Sequence, residues 1–177
     1  VDVFGGDHVY LMDVSQMNDS HLENEADLTI AGIPVRREVA KRNYGVFTVD
    51  ENGRVEDFVE KPEDPAPIPE NEDYCLASMG NYAFNPKVLL EELAKDARKD
   101  YVVGNGIDNR RYFTEHDFGK DVIPEMLRSE RRVFAYNFND NSISGMSEKE
   151  KGFWRDIGNI DQFYEANMEV RSPEPPL

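Results

Sequence analysis

Three short stretches carry residues whose types and spacing suit chemistry. In "VFGGDHVY" (residues 3–10) an apolar run meets Gly5 and Gly6 and then presents Asp7 and His8 side by side. Beyond strand ends in open α/β sheets, glycines let the backbone approach a ligand and a carboxylate can meet a metal ion. The plainer account is a tight turn in which Asp7 bonds its own backbone, with His8 a packing or hydrogen-bonding neighbour and not a ligand. "FWRDIGN" (residues 153–159) repeats the grammar, since Arg155 and Asp156 interrupt the apolar Trp154 and Ile157 just before a glycine and a helix start. Asp7 and Asp156 are too far apart for a local motif, but two strand-end carboxylates of one sheet can converge on one divalent ion. An Arg155–Asp156 surface pair of little worth is the alternative. In "VEKP" (residues 59–62) Glu60 and Lys61 close an apolar strand before a proline that cannot extend it. A lysine fixed there is a point cation for a phosphate, and Glu60 is free to accept hydroxyl groups; otherwise the pair is a solvated strand end.

Elements must hold these groups. Met12, Met17, Leu22 and Ala26 recur at helical intervals, and "DLTIAGIPV" (residues 27–35) is a β-branched apolar run expected to be covered on both faces. With the opening strand, this predicts a parallel strand–helix–strand unit. "YGVFTVDENGRVEDFVEKP" predicts an antiparallel hairpin turning at Asn52-Gly53, and the prolines at 62, 65, 67 and 69 predict an extended connection. "LASMGNYAF" reads as a strand. "NPKVLLEELAKDA" reads as a helix capped by Asn85, with Leu89, Leu90, Leu93 and Ala97 as its apolar face. Residues 98–115, with two glycines, mixed charge and no period, read as a loop insertion. A short helix through Ile123, Met126 and Leu127, the strand "RVFAYNF", and a last helix capped by Asn159 with Phe163, Tyr164, Asn167 and Met168 on helical spacing complete the pattern.

Composition narrows the classes. The 177 residues, 39% of them hydrophobic, suffice for one core. Twenty Lys and Arg against 36 Asp and Glu give a net charge of −16, which opposes nucleic-acid binding while leaving room for one cationic site for a small anion. Neither a signal peptide nor an apolar run long enough for a membrane span is visible, and the one cysteine, Cys75, points to a reducing compartment, by default the cytoplasm.

Taken in order, "FGGDHVY", "YGVFTVD", "VEKP", "LASMGNYAF", "HDFGKDVIP" and "FWRDIGNIDQFYEANM" closely resemble the bacterial glucose-1-phosphate adenylyltransferase family. "VEKP" and the first carboxylate turn are shared with sugar-1-phosphate nucleotidyltransferases in general, whereas "LASMGNY", "HDFGKD" and "WRDIG" followed by "EANM" are specific to the adenylyl-glucose branch. The resemblance implies an α/β, Rossmann-like (GT-A type) nucleotidyltransferase domain, with a mixed sheet and helices on both faces, over residues 1–177. It implies the conversion of ATP and α-D-glucose 1-phosphate to ADP-glucose and pyrophosphate in α-glucan synthesis. Asp7 and Asp156 would then hold the catalytic Mg²⁺ and Lys61 the sugar phosphate. Glu60, Gly45, Ser78 and Tyr82 would line the sugar pocket, with Asp117, Phe118 and Trp154 nearby. A homo-oligomeric, tetrameric and allosterically controlled parent enzyme also follows from it.

The chain departs from the family in several places. No "GGxGxRL"-like phosphate loop occurs, and the chain stops at "EPPL" where the family continues into a β-helix. The expectation is therefore a partial catalytic domain, inactive alone, with an unpaired internal sheet edge exposing "LTIAGIPV". Residues 98–115 are longer than the family's connection, and Asn159 replaces its usual threonine. Two other readings stay open: a nucleotidyltransferase of other base or sugar specificity, and a non-catalytic regulatory subunit.

Overall fold

The computed structural model describes residues 1–102, 113–173 and 175. Two short strands, β1 (Asp2–Val3) and β2 (His8–Tyr10), flank the Gly5-Gly6 turn. Helix α1 (Val14–Glu23) starts where Asp13 Oδ1 accepts the Ser15 N–H, and it buries Met17 completely while Leu22 stays exposed. Strand β3 (Leu28–Arg36) and the turn of helix α2 (Arg37–Ala40) lead into the hairpin β4 (Val46–Val49) and β5 (Val55–Val59). In the hairpin loop Asp50 Oδ1 accepts the N–H groups of Asn52 and Arg54, and Gly53 takes φ +77°. After the proline-rich connection come β6 (Tyr74–Phe84) and α3 (Pro86–Asp96), the latter capped by Asn85 with Pro86 in its first turn.

Strands β7 (Asp100–Tyr101) and β8 (Phe113–Thr114) pair in parallel, so the described ends of residues 98–115 form a small ribbon where only loop was expected; residues 103–112 lie outside the described residues. A π-helical turn (Phe118–Val122), α4 (Ile123–Arg128), β9 (Val133–Asn137), a 3-10 turn (Phe138–Asp140), β10 (Trp154–Asp156) and α5 (Ile160–Val170) follow. Asn159 caps α5 by accepting the Gln162 N–H at 2.9 Å.

The main sheet has the order β5-β4-β6-β3-β9, with β1 against the far half of β6. β1 and β3 are both antiparallel to β6, so they run parallel to each other. The predicted unit has its direction right, but the long β6 lies between its two strands. β3 is likewise no open edge: β6 and β9 flank it, and Leu28 to Ile33 show little or no exposure. Leu28 and Ile30 face a core with Phe47, Phe58, Phe84, Val88, Ile123 and Met126, under α3 and α4. Ala31 and Ile33 face Met17, Met79, Phe138 and Trp154, under α1. Helices thus cover both faces.

Of the predicted apolar face of α3 only Leu89 packs against the core, and the buried stripe is a different one. Val88, Glu92 and Asp96 are buried at i, i+4 and i+8, whereas Leu90, Leu93 and Ala97 are exposed. The carboxylates tolerate burial because cations and donors reach them: Arg131 and Lys95 both donate to Glu92 Oε1, and Thr114 and His116 reach Asp96. In α5, Phe163 and Tyr164 are exposed and Ala166 is the buried residue.

One irregularity shapes the middle of the sheet. Ile30 pairs with Tyr82 but Gly32 with Ser78, so the single residue Ala31 opposes Met79, Gly80 and Asn81. This bulge, which needs φ +73° at Gly80, opens the middle of the sheet.

Candidate functional site

A cavity of about 440 Å³ lies over the bulge. Ser78, Gly80 and Tyr82 of β6 form its floor, and Gly45 and Glu60-Lys61, at the open ends of β4 and β5, form one wall. The opposite wall is a ribbon separate from the main sheet, in which β10 pairs antiparallel with β2, matching Trp154 with Tyr10 and Asp156 with His8. The two carboxylates expected from one sheet therefore meet at this ribbon instead. The start of α5 closes the end with Asn159 and Gln162.

Asp7, His8 and Asp156 present ligand atoms that all lie within 4.8 Å of one another. His8 Nε2 stands 3.4 Å from Asp7 Oδ1 and 3.9 Å from Asp156 Oδ1. The Gly158 N–H donates to Asp156 Oδ1 at 3.0 Å, and the Ile157 N–H donates to the Asp7 carbonyl at 3.1 Å, tying the two acidic segments together. A pair of hard oxygen donors in a solvent-reachable corner suits a divalent cation such as Mg²⁺ or Mn²⁺.

Glu60 is held by absences. A Cβ at Gly45 would lie 2.6 Å from Phe58 Cζ and 2.8 Å from Glu60 Oε2, and one at Gly119 only 2.3 Å from that oxygen, so both glycines make room for the carboxylate. Burial first, and the charge of Asp117 second, push the Glu60 carboxyl above its ordinary range. Lys61 adopts φ +49° and donates its N–H to the Tyr44 carbonyl, while its ammonium enters no ion pair among the described residues. A cation held on strained backbone at a cavity rim, and in no ion pair among the described residues, is available to a ligand. Ser78 Oγ and Tyr82 OH lie 3.4 Å apart, and burial pushes the Tyr82 phenol up to about 12, so it stays a neutral hydrogen-bonding group.

Of the residues singled out in the sequence, Asp7, Gly45, Glu60, Lys61, Ser78, Tyr82, Trp154 and Asp156 all line this cavity. Asp117 and Phe118 stand behind it. Asp117 Oδ1 accepts the Lys120 N–H at the head of the π-helical turn, and Phe118 packs on Tyr82 at 5.8 Å and on Phe84 at 5.6 Å. Arg42, Asn43, Tyr44, Gly80 and Gln162 also line the cavity and were not anticipated. Gly80 inside a strand was the legible clue to the bulge. Arg42 and Gln162 carry no local signal, because only the folding of α2 and α5 brings them to the rim.

A model of the nucleotidyl transferase family matches residues 1–172. The chain is 48% identical over 177 residues, 100% of its length, to the glucose-1-phosphate adenylyltransferase of Trichlorobacter lovleyi, of which it covers 39%. It is 49% identical over the same length to the like-named protein of Geobacter metallireducens, again covering 39%. To that of Thermus thermophilus it is 46% identical over 170 residues, 96% of this chain and 38% of the relative. The chain thus spans about two fifths of the length of these curated relatives. Among the described residues no helix is long and apolar enough to cross a membrane.

Proposed function

The chain belongs to the nucleotidyl transferase family, and on that premise we propose that its cavity is the sugar-phosphate and metal portion of a glucose-1-phosphate adenylyltransferase site. The observation that carries the reading is the gathering, over one bulge, of a lysine that enters no ion pair among the described residues, a half-buried carboxylate, two hydroxyls and a carboxylate pair. The reaction joins a phosphate oxygen of α-D-glucose 1-phosphate to the α-phosphorus of ATP in line, breaks the bond from that phosphorus to the β-phosphate bridging oxygen, and releases pyrophosphate.

No side-chain nucleophile is required, because positioning and electrostatics supply most of the barrier reduction. Lys61 anchors the sugar phosphate as a point cation. Glu60 accepts hydroxyls from the sugar; its raised protonation tendency reflects burial that a hydroxyl pair relieves. Ser78 and Tyr82 offer hydroxyl partners from the floor, and the face of Trp154 supplies apolar contact while excluding water. Asp7 and Asp156 would hold Mg²⁺. When bound, that ion offsets the negative charge that builds between the reacting phosphates.

Trp154 is the single tryptophan and lines the cavity, so its fluorescence reports ligand entry. Titration of the chain with glucose 1-phosphate should give a saturable change that glucose alone does not reproduce. Lys61→Ala should weaken it roughly tenfold or more, for loss of a charge-assisted contact of about 1.5–3 kcal/mol. Equal affinity of wild type and Lys61→Ala would refute the assignment. Pyrophosphate release with ATP, glucose 1-phosphate and Mg²⁺ tests the full reaction.

A further inference from the structure

His8 read from the sequence as a packing neighbour, yet its surroundings are those of a held functional group. Its side chain is 13% exposed. The ring is seated where no side chain competes: a Cβ on Gly5 would stand 3.0 Å, and one on Gly80 3.2 Å, from His8 Cε1. Trp154 meets it edge-on, with ring centroids 5.5 Å apart. Its Nδ1 is buried with no hydrogen-bond partner among the described residues, while Nε2 faces the Oδ1 atoms of Asp7 and Asp156. Two carboxylate oxygens repel a lone pair and attract an N–H, so the proton is assigned to Nε2 and the lone pair to the buried Nδ1.

That assignment partitions the carboxylates. Asp156 Oδ1 takes the Gly158 N–H and faces the imidazole, and Asp7 Oδ1 faces the same imidazole, so the Oδ2 atom of each acid is left over. We propose that His8 is a positioning residue, whose Nε2–H draws the Oδ1 atoms of Asp7 and Asp156 together and leaves their Oδ2 atoms to a divalent cation. The inference rests on the metal reading given under Proposed function. Groups that orient ligands in this way from behind typically change metal affinity by about 10- to 100-fold when removed.

The test uses Mn²⁺ as probe, with free ion counted by electron paramagnetic resonance on the whole chain, and circular dichroism as the control for folding. Wild type should bind and Asp7→Asn should not. His8→Phe keeps a ring between Gly5, Gly80 and Trp154 but lacks the donor, and should bind roughly tenfold or more weakly. His8→Gln, whose amide N–H reaches the place of Nε2–H, should recover most of the loss. If His8→Phe fails to fold, Gly5→Ala carries the same expectation, because its Cβ presses the imidazole away. A His8→Phe affinity equal to or tighter than wild type, with Asp7→Asn still inactive in binding, overturns the role of His8 and leaves the metal reading standing. A His8→Gln as weak as His8→Phe overturns the donor role in favour of direct ligation. Absence of Mn²⁺ binding by wild type, or binding indifferent to Asp7→Asn, overturns the metal reading itself.

Discussion

Gly119→Ala should damage the site while sparing the fold. A Cβ there would lie 2.3 Å from Glu60 Oε2 and 2.9 Å from Glu60 Cδ, against 3.4 Å for ordinary contact, so the carboxylate must retreat by about 1.1 Å. The obstructing atoms are the end of a flexible side chain, and the next nearest atom, Phe58 Cε1 at 3.3 Å, needs to give little. The stability cost is therefore small, and replacing glycine within a helical turn returns up to about 1 kcal/mol, so the net change should fall within about 1 kcal/mol of zero. Function has no such relief. A hydrogen bond of ~2.8 Å stretched by about 1.1 Å is no longer one, and losing one charge-assisted contact costs about 1.5–3 kcal/mol, or roughly 10- to 150-fold in affinity for glucose 1-phosphate. Urea unfolding and sugar-phosphate titration, both followed through Trp154, separate the two effects. In a Glu60→Ala background, Gly119→Ala should have no further effect on affinity. Unchanged affinity in the single variant, or a loss that persists in that background, would refute the idea that Gly119 exists to seat Glu60.

Three further outcomes are expected. Because burial and Asp117 raise the Glu60 carboxyl, its contribution to stability is present below the ordinary value of 4.5 and is lost as pH rises through the raised value. Glu60→Gln should therefore unfold at higher temperature than wild type at pH 7, with the difference vanishing below about pH 4.5, and a difference independent of pH would contradict this cause. In the full-length enzyme, Asp7→Asn and Asp156→Asn should each lower turnover by roughly two orders of magnitude or more at saturating Mg²⁺, with unfolding curves shifted by less than about 0.5 kcal/mol. Asn159→Ala removes the cap of α5 and should cost about 1 kcal/mol; measurement by urea unfolding at the wild-type value would show that the cap bond to Gln162 is idle.

Much of this protein was legible before folding. The caps at Asn85 and Asn159, the hairpin around Asp50 to Gly53, and the buried β3 all follow from local chemistry: side-chain oxygens that satisfy the first helical N–H groups, a glycine that takes positive φ, and a β-branched apolar run. Of the candidate site residues, Asp7, Glu60, Lys61 and Asp156 were legible because each breaks a local pattern, an acid or lysine where an apolar strand ends, whereas Gly45, Ser78, Tyr82, Asp117, Phe118 and Trp154 were named only by the family resemblance. Partners across the chain were not. That β6 separates β1 from β3, that Asp7 and Asp156 meet on a ribbon outside the main sheet, and that α3 turns Glu92 and Asp96 inward instead of Leu90 and Leu93 depend on pairings between segments dozens of residues apart. Periodicity reports which residues share a face and says nothing of what waits opposite it: Arg131 meets Glu92, Thr114 and His116 meet Asp96, and a bulge at Gly80 turns a strand into the floor of a cavity.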